Sequence, residues 1–523
     1  MKLENSKQDW IFRSVLLPGT AIYVCLLLFK FPFTPFFSET DQLIFIHEGS
    51  RLLNGDVMYR GFFEFTFPGA QTIYYLLLAL FGETYRVLPL TTVFLGVAST
   101  WLCFEISKEI LRGPMRYLPP VIYVLFGLRW FGLDGSHRLF SPIFVSLAIL
   151  VLIKGRGLYH VAAAGAFCAA ASFFTQQRGV AMLASITCFL VVQKIMSGDR
   201  WKPTWQAASV LYLTFGLVMA TMLGYFVYSA GVADFVYATL VYPVKYYSYA
   251  PSNSYGVYLT DLAKAAESVG PSGMLFLASS IFYACILPAS LLLTLVLFAV
   301  QRRTLAWEEW KDPIFLAIVG TLLILTTAGP NSTRLYQVCV PSLIVFCWLF
   351  SKADLFRRLE RPLVIAVTSI LVAIGVSQVI RMQTHWNYFT LNTPSGELIF
   401  TAADQARFYD AIAAKTKPGD LIYEPIQPYV YFPLQLKNPT RYGQIWPTDY
   451  TRPEQVAEVV LDLEHKTPKY ILWDNGYLIS DIERPTSDHT GPLAELVQRD
   501  YSPVGDIYQM DGHPIQIWER KAQ

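Results

Sequence analysis

Charged residues are scarce in this 523-residue chain, and neither sign dominates. Asp, Glu, Lys and Arg together make up 15% of the residues, whereas an average soluble protein has about 25%. The 41 Lys and Arg residues nearly cancel the 39 Asp and Glu residues. This balance excludes a polybasic nucleic-acid-binding protein and a disordered acidic tail, so we expect no nucleic-acid partner.

The sequence also lacks the patterns of disulfide, metal and nucleotide sites. Its seven cysteines lie in apolar segments, and no two of them have CxxC spacing. The segment after residue 381 contains no GxGxxG, P-loop or HExxH motif. A disulfide framework and a zinc site are therefore disfavoured, and we expect no metal and no cofactor.

Apolar residues are what the chain has in excess, at 54% hydrophobic and 15% aromatic. A membrane-spanning helix needs about 20 mostly apolar residues. Runs of this kind lie near 14–34, 87–107, 117–133, 140–153, 158–174, 179–196, 205–229, 274–300, 313–328, 335–351 and 362–380. The first run lacks a small-residue cleavage site, so we interpret it as a signal anchor. The pattern predicts an α-helical polytopic membrane protein with about eleven transmembrane helices.

The distribution of Lys and Arg predicts the orientation of the chain. Basic residues follow alternate apolar runs, which places the N-terminus inside under the positive-inside rule, provided that 67–82 does not span. That stretch is only about 16 residues long and begins with Pro68-Gly69, so we expect a juxtamembrane helix. The outer loops are then 35–86 (the first outer loop), 134–139, 175–178, 230–273 and 329–334.

The chain changes character after Arg381. Residues 382–523 are polar, with helical periodicity at 404–417 and 453–466 and strand patterns at 420–426, 470–474 and 515–519. We expect a transmembrane module over 1–381 and a soluble, extracytoplasmic α/β domain over 382–523.

Two carboxylates of the first outer loop are candidate catalytic groups. Asp41 begins a short helical stretch that ends at Leu53, with Asn54-Gly55 as its C-cap. A carboxylate there could accept a proton from a hydroxyl group, or it could simply be the first-turn charge of the helix. Glu64 lies among aromatic residues and fits either a catalytic role or an interfacial side chain that reaches water.

Basic residues at the outer ends of the spans are candidates for binding a phosphate. Arg138 follows His137 in the second loop, and its alternative role is an interfacial anchor or a partner of Asp134. Arg178 and Arg334 also lie outside, where arginine is disfavoured unless it meets an anion. Lys245 lies among tyrosines that suit either sugar stacking or a lipid-headgroup belt.

The run TDQLIFIHEGSRLLNGDVMYRGFFEFTFPG resembles the first outer loop of GT-C glycosyltransferases, which use polyprenyl-phosphate-linked sugars. These include the protein mannosyltransferase and lipid A aminoarabinose transferase families. The matching positions are Asp41, Leu52-Leu53-Asn54-Gly55, Tyr59 and Pro68, and RLYQVCVP matches a late-span motif through Arg334, Tyr336 and Pro341. Many members have an Asp-Glu pair where this chain has Asp41-Gln42, so Glu64 is our substitute for the second carboxylate.

The resemblance implies an enzyme that moves a hexosyl or pentosyl group from a polyprenyl-phosphate donor to an acceptor hydroxyl, with inversion. Asp41 would be the base, and Arg138, Arg178, Arg334 and the weaker candidate Lys245 would bind the donor phosphate. His137, Tyr59 and Tyr336 complete the expected substrate-binding set. The acceptor could be a glycan, a lipid or a protein.

Other functions remain open from the sequence. A transporter or flippase of lipid-linked glycans is the main alternative, although it predicts charged residues at span midpoints and this chain has few. A glycan polymerase or ligase would concentrate its polar residues in a late outer loop, whereas here the first loop is the richest. A non-catalytic membrane scaffold is the third alternative. We expect a multi-pass protein of a bacterial inner membrane, with the endoplasmic reticulum as the alternative.

Overall fold

The computed structural model describes residues 2–198, 200–250, 253–267, 270–304, 306–384, 387–426, 428–448, 450–475, 489–510 and 513–522. The chain is mostly helical. Its α-helices are α1 (Lys2–Leu28), α2 (Asp41–Leu53), α3 (Gly69–Phe81), α4 (Val87–Ile110), α5 (Leu118–Ile122), α6 (Arg129–Phe131), α7 (His137–Lys154), α8 (Leu158–Phe174), α9 (Gln176–Ser197), α10 (Trp201–Ala230), α11 (Val232–Val236), α12 (Tyr242–Lys245), α13 (Val257–Ala266), α14 (Gly270–Ile281), α15 (Leu287–Gln301), α16 (Trp307–Leu325), α17 (Ser332–Gln337), α18 (Val340–Lys352), α19 (Asp354–Thr384), α20 (Ala403–Ala413), α21 (Tyr431–Leu434), α22 (Pro453–Lys466) and α23 (Gly491–Asp500).

The strands are short and lie mostly near the C-terminus. They are β1 (Phe29–Lys30), β2 (Thr34–Pro35), β3 (Phe389–Thr393), β4 (Gly396–Phe400), β5 (Ile422–Tyr423), β6 (Tyr470–Asp474), β7 (Tyr501–Met510) and β8 (His513–Arg520). Single π-helical segments continue α5, α11 and α14 at Tyr123–Leu128, Tyr237–Val241 and Phe282–Ile286.

Seven helical stretches in the described part of the chain are long and apolar enough to cross a membrane. They are Lys7–Leu28, Val87–Ile110, His137–Lys154, Gln176–Ser197, Trp201–Ala230, Gly270–Gln301 and Arg358–Thr384. Helices also occupy the other four predicted runs, but α8 and α18 are shorter, 117–133 is divided into three pieces, and α16 begins with charged residues. The chain is therefore an integral membrane protein, and the count of eleven spans stays a prediction.

The chain forms two compact units. The first, the membrane unit, contains 1–27, 91–224 and 254–382. In it α7, α8 and α9 pack in sequence, and α9, α15, α16 and α18 form a second packed group. Gly179 in α9 has no room for a side chain, because a Cβ atom would lie 2.1 Å from the carbonyl oxygen of Cys168 in α8. This close approach places the first turn of α9 directly against α8.

The second unit, the loop-sheet unit, contains 28–90, 225–253 and 383–523. It therefore joins the first outer loop to the predicted C-terminal domain, a grouping that the sequence boundary at 381 did not predict. Its main sheet has the order β5-β6-β8-β7, with β5 parallel to β6 and the other pairs antiparallel. Helices α22 and α23 cover a core that includes Val456, Val459, Ile471, Leu493 and Val497.

Local elements of the loop-sheet unit largely follow the sequence patterns. Helix α2 spans 41–53 with Asn54 as its C-cap, and α3 forms the helix expected within 67–82. Helix α22 and strand β6 have the predicted bounds, whereas the strand predicted at 420–426 is only two residues long.

Candidate active site

Asp41 is the first residue of α2, and its side chain is partly exposed. Thr40 is the N-cap, but its side chain makes no capping hydrogen bond. A carboxylate in the first turn is stabilised by the partial positive charge of the helix N-terminus. That placement fits both predicted roles of Asp41, because a first-turn carboxylate with access to solvent can also meet an acceptor hydroxyl.

Glu64 is buried rather than exposed at an interface, with 8% of its surface accessible. Its Oε1 atom accepts hydrogen bonds from the backbone N–H groups of Phe65 at 2.8 Å and Thr66 at 2.7 Å. The aromatic neighbours of Glu64 in the sequence pack into a cluster of rings, with Phe63 4.9 Å and Phe65 5.8 Å from Tyr242 between centroids. Glu64 is thus held by the turn that follows it.

A second buried carboxyl group, that of Glu48, lies within hydrogen-bonding reach of Glu64. Glu48 is 7% exposed, and its Oε2 atom accepts a hydrogen bond of 2.9 Å from Nε2 of Gln71, a fully buried residue of α3. Burial raises the pKa of Glu48 well above its usual range, and the neighbouring charge of Glu64 raises it further. Both effects favour the uncharged form of the Glu48 carboxyl group.

Our reading of the sequence missed Glu48, although a signal was present. Glu48 follows Asp41 by seven residues, which corresponds to two helical turns and places both side chains on one face of α2. His47 is a further missed residue: its ring stacks on Tyr431 at 4.8 Å. Burial, with a smaller effect of the Arg51 charge, lowers the pKa of His47 to about 3.

Tyr59 lies at the turn of the first outer loop and is completely buried. Its φ angle is +71°, a conformation that is strained for a bulky residue. The phenol donates a hydrogen bond of 2.8 Å to the carbonyl oxygen of Thr66, and the Tyr59 carbonyl accepts one of 3.1 Å from Arg441. These bonds hold Tyr59 in a fixed position within the first outer loop. Its ring has no access to solvent.

The loop is also bonded to the C-terminal part of the same unit. The backbone N–H of Phe63 donates to the carbonyl oxygen of Arg441 at 2.8 Å. Arg51 donates to the carbonyl oxygens of Gly61 at 3.1 Å and Thr440 at 3.4 Å, and pairs with Asp56 at 2.7 Å. Residues of the C-terminal segment thus hold the loop that carries both carboxyl groups.

Lys245 ends α12 and is exposed, with its ammonium group 5.4 Å from the ring centroid of Tyr246. A second cation contacts the same ring, because the guanidinium of Arg452 lies 4.4 Å from the Tyr246 centroid. Lys245 therefore lies in the loop-sheet unit, whereas the three candidate arginines lie in the membrane unit.

Arg138, Arg178 and Arg334 are brought together in the membrane unit, where the charges of Arg138 and Arg334 act on Arg178 and all three act on His137. Each of them lies in the first turn of a different helix: α7, α9 and α17. Arg178 is only 5% exposed. Its guanidinium donates to the carbonyl oxygen of Arg138 and, at 3.0 Å, to Oε1 of Gln337. We call these three residues the arginine group.

Neutral oxygen atoms accept hydrogen bonds from two of these guanidinium groups, those of Arg178 and Arg334. Arg334 donates to the carbonyl oxygens of Ala328 at 2.5 Å and Gly329 at 3.2 Å. The charged groups that act most strongly on Arg178 are Arg138 and Arg334, which have the same sign. Like charges held close together inside a protein call for an anion, and guanidinium groups match phosphate oxygens well.

His137 and Tyr336, two predicted substrate-binding residues, are buried next to the arginine group. The Nδ1 atom of His137 lies 3.0 Å from Oγ1 of Thr175. Tyr336 has no exposed surface, and its phenol donates a 3.1 Å hydrogen bond to the carbonyl oxygen of Tyr123, the first residue of a π-helical segment. Because its ring is fully buried and its hydroxyl is bonded to the backbone, this position favours a packing role for Tyr336.

Within the residues that the structure describes, no three His, Cys, Asp or Glu side chains come together as metal ligands. The seven cysteines are free thiols.

No family model matches the sequence, and no curated protein matches it. Solved structures do match in fold. ArnT from Cupriavidus metallidurans bound to undecaprenyl phosphate is similar over 98% of both chains, with a TM-score of 0.61 and 11% identity. The oligosaccharyltransferase AglB from Archaeoglobus fulgidus, in complex with an inhibitory peptide and a dolichol-phosphate, is similar over 90% of this chain and 70% of its own, with a TM-score of 0.52 and 12% identity. The GT-C fold that the sequence resemblance implied is therefore the fold of this chain.

Proposed function

We propose that the chain is a membrane glycosyltransferase that transfers a sugar from a polyprenyl-phosphate donor to an acceptor hydroxyl. The arginine group carries this proposal: three guanidinium groups of the membrane unit, two of which donate to neutral oxygens, provide the charge that a lipid phosphate needs. The two structural neighbours support it, because one is bound to undecaprenyl phosphate and the other to a dolichol-phosphate.

In the proposed reaction the acceptor oxygen attacks the anomeric carbon of the donor sugar. The bond from that carbon to the phosphate oxygen breaks as the new glycosidic bond forms, so the anomeric configuration is inverted. Asp41 takes the proton of the acceptor hydroxyl. The polyprenyl phosphate leaves with its negative charge stabilised by Arg138, Arg178 and Arg334.

The remaining candidates have smaller roles in this proposal. Lys245 is exposed and serves as a further cation for an approaching phosphate. His137 orients the start of α7 through its contact with Thr175, and Tyr59 shapes the loop that carries the acids. Glu64 has one oxygen bonded to two backbone N–H groups, so we do not assign it as the base.

The proposed orientation follows the basic residues at the inner ends of the spans. Lys154, Arg156, Arg302 and Arg303 lie at or just beyond the ends of α7 and α15, which favours a cytoplasmic position for these ends. The arginine group and the C-terminal segment then face outwards, in a bacterial inner membrane under this proposal.

The test is a transfer assay with membranes that contain the wild type, Asp41→Asn or Asp56→Asn. Each is given a panel of radiolabelled polyprenyl-phosphate sugars, and consumption of the lipid-linked sugar is measured. Asp56 is the matched control, because it lies on the same loop with 44% of its side chain exposed. We expect the wild type and Asp56→Asn to consume a donor and Asp41→Asn to consume none.

Near-normal turnover by Asp41→Asn would overturn the assignment of the base. Binding of a lipid-linked sugar without consumption by the wild type would instead favour a transporter of lipid-linked glycans.

A further inference from the structure

Two carboxyl groups within hydrogen-bonding reach cannot both carry a charge in a buried site without a large cost. Glu48 and Glu64 are such a pair, at 7% and 8% exposure. We propose that Glu48 and Glu64 share one proton, and that this carboxyl pair positions the first outer loop for the transfer reaction proposed above. The inference rests on that proposed function for its effect on catalysis, whereas the shared proton can be tested without it.

The hydrogen bonds around the pair indicate which of the two carboxyl groups holds the proton. Two backbone N–H groups donate to Oε1 of Glu64, an arrangement that favours the anion. Glu48 has no backbone donor among its described bonds, and Nε2 of Gln71 donates to its Oε2 atom. The protonated Glu48 can then donate to Glu64 while it accepts from Gln71. Burial raises the pKa of Glu48, in agreement with this assignment.

The pair connects three parts of the loop-sheet unit. Glu48 belongs to α2, Gln71 to α3, and Glu64 to the turn between them. Because α2 begins with Asp41, the pair fixes the helix that carries the proposed base two turns before Glu48. Glu48 and Glu64 are therefore positioning residues, acting through α2 and the loop.

The other charged or titratable groups that face the pair do not remove the need for a proton. The charge of Arg51 has only a minor lowering effect on the pKa of Glu48. The Arg51 guanidinium is instead bonded to Asp56 and to the carbonyl oxygen of Gly61. Tyr59 and Tyr242 face the acids as phenols, and burial raises the pKa of both. His47, beside Glu48, stays neutral above a pH of about 3.

Infrared spectroscopy of the purified full chain tests the shared proton directly. The wild type at pH 7 should show the C=O stretch of protonated carboxylic acids, and Glu48→Gln should lose one such band. Glu64→Gln should lose this band as well, because the neutral amide of the new side chain donates a hydrogen bond to Glu48 and stabilises its anion. Glu495→Gln, an exposed carboxylate on α23, is the control and should change nothing.

Glu424 is a second buried acid whose pKa is raised by burial, so Glu424→Gln identifies its separate band. A spectrum of Glu48→Gln that keeps every protonated-carboxyl band of the wild type would overturn the shared proton. If Glu48→Gln does not fold, the same comparison with Glu64→Gln decides the question.

The transfer assay tests the positioning role. Gln at position 48 can donate to Glu64 and accept from Gln71, so Glu48→Gln should keep a rate within about threefold of the wild type, whereas Glu48→Ala should lose about tenfold or more. The wild-type rate should fall at alkaline pH, where Glu48 loses its proton, and Glu48→Gln should lack that fall. Equal rates for Glu48→Ala and the wild type would overturn the positioning role. Absence of transfer in the wild type as well as in every variant would contradict the proposed function and leave the infrared result standing.

Discussion

The carboxyl pair and the arginine group hold buried charge in opposite ways. In the first, two backbone N–H groups donate to Oε1 of Glu64, and the carboxyl group of Glu48, which we propose holds a proton, lies within hydrogen-bonding reach of it. In the second, Arg178 donates to a carbonyl and an amide oxygen, and its nearest charges are other arginines. One region is neutralised by its own protein groups, whereas the other orients its cations without neutralising Arg178.

This difference distinguishes buried charges that stabilise a conformation from buried charges that bind a ligand. A buried charge with a full set of local partners stabilises a conformation, and its removal disturbs the loop around it. A buried arginine directed by neutral acceptors keeps its full charge for an anion that arrives later. We propose positioning for the carboxyl pair and phosphate binding for the arginine group, and variants of each can contradict this division.

The largest effect should come from Arg178→Ala, which removes the most buried cation of the group. We expect the affinity for a labelled polyprenyl phosphate to fall by about 2–5 kcal/mol, with Arg178→Lys intermediate because a point charge replaces the planar fork. Binding to purified protein in lipid nanodiscs measures this. Arg303→Ala, an exposed arginine after α15, is the control, and unchanged binding by Arg178→Ala would refute the role of the arginine group.

Gly49→Ala disturbs the packing of α2, the helix that carries Glu48, without changing any charge. A Cβ atom at position 49 would lie 2.8 Å from Cβ of Tyr74 and 2.9 Å from the backbone nitrogen of Tyr75, so α2 and α3 would have to separate. Overpacking of this kind costs about 1–3 kcal/mol. We expect a lower thermal midpoint and slower transfer. Gly216→Ala in α10, where nothing lies within 4 Å of the new Cβ, should not lower the midpoint.

Much of the membrane architecture and the local structure of the loop followed from the sequence, because apolar length and helix signals are local. The helix of Asp41, its end at Leu53 and the helix α22 were predicted in this way. The grouping of Arg138, Arg178 and Arg334 was only implied, since they come from three separate helices.

The partners of these residues could not be predicted, because they come from distant positions. Gln337 bonds to Arg178 across 159 positions of the chain, and Arg441 bonds to Tyr59 across 382. Burial also escaped prediction: Glu64 lies between two aromatic residues, a pattern that an interfacial side chain and a buried anion share. Only the spacing from Asp41 to Glu48 was a usable signal for the carboxyl pair.

Glu424 is a buried acid outside the carboxyl pair, and the Glu424→Gln variant tests how a single buried acid affects stability. Burial, then the charge of Glu39, raises the pKa of Glu424 above its value in the unfolded chain. The folded state therefore keeps a proton that the unfolded state releases, and stability falls as pH rises from about 4. We expect the thermal midpoint of the wild type to drop more between pH 5 and pH 8 than that of Glu424→Gln. Equal slopes for the two proteins would contradict this.

The smallest effect should come from Asp261, an acid that supports the arginine group instead of neutralising it. Its Oδ2 atom accepts hydrogen bonds from the backbone N–H of Ser332 at 2.9 Å and from the Ser332 hydroxyl at 2.6 Å, which fixes the start of the helix that carries Arg334. Asp261→Asn keeps an acceptor but loses its charge at the helix N-terminus, a change worth about 0.3–1 kcal/mol. We expect polyprenyl-phosphate binding to weaken by about two- to fivefold, while Glu267→Gln, at the exposed end of α13, should bind as the wild type does. A loss as large as that of Arg178→Ala would mean that Asp261 acts on the phosphate site itself, and that the separation between positioning acids and binding arginines is incomplete in the membrane unit.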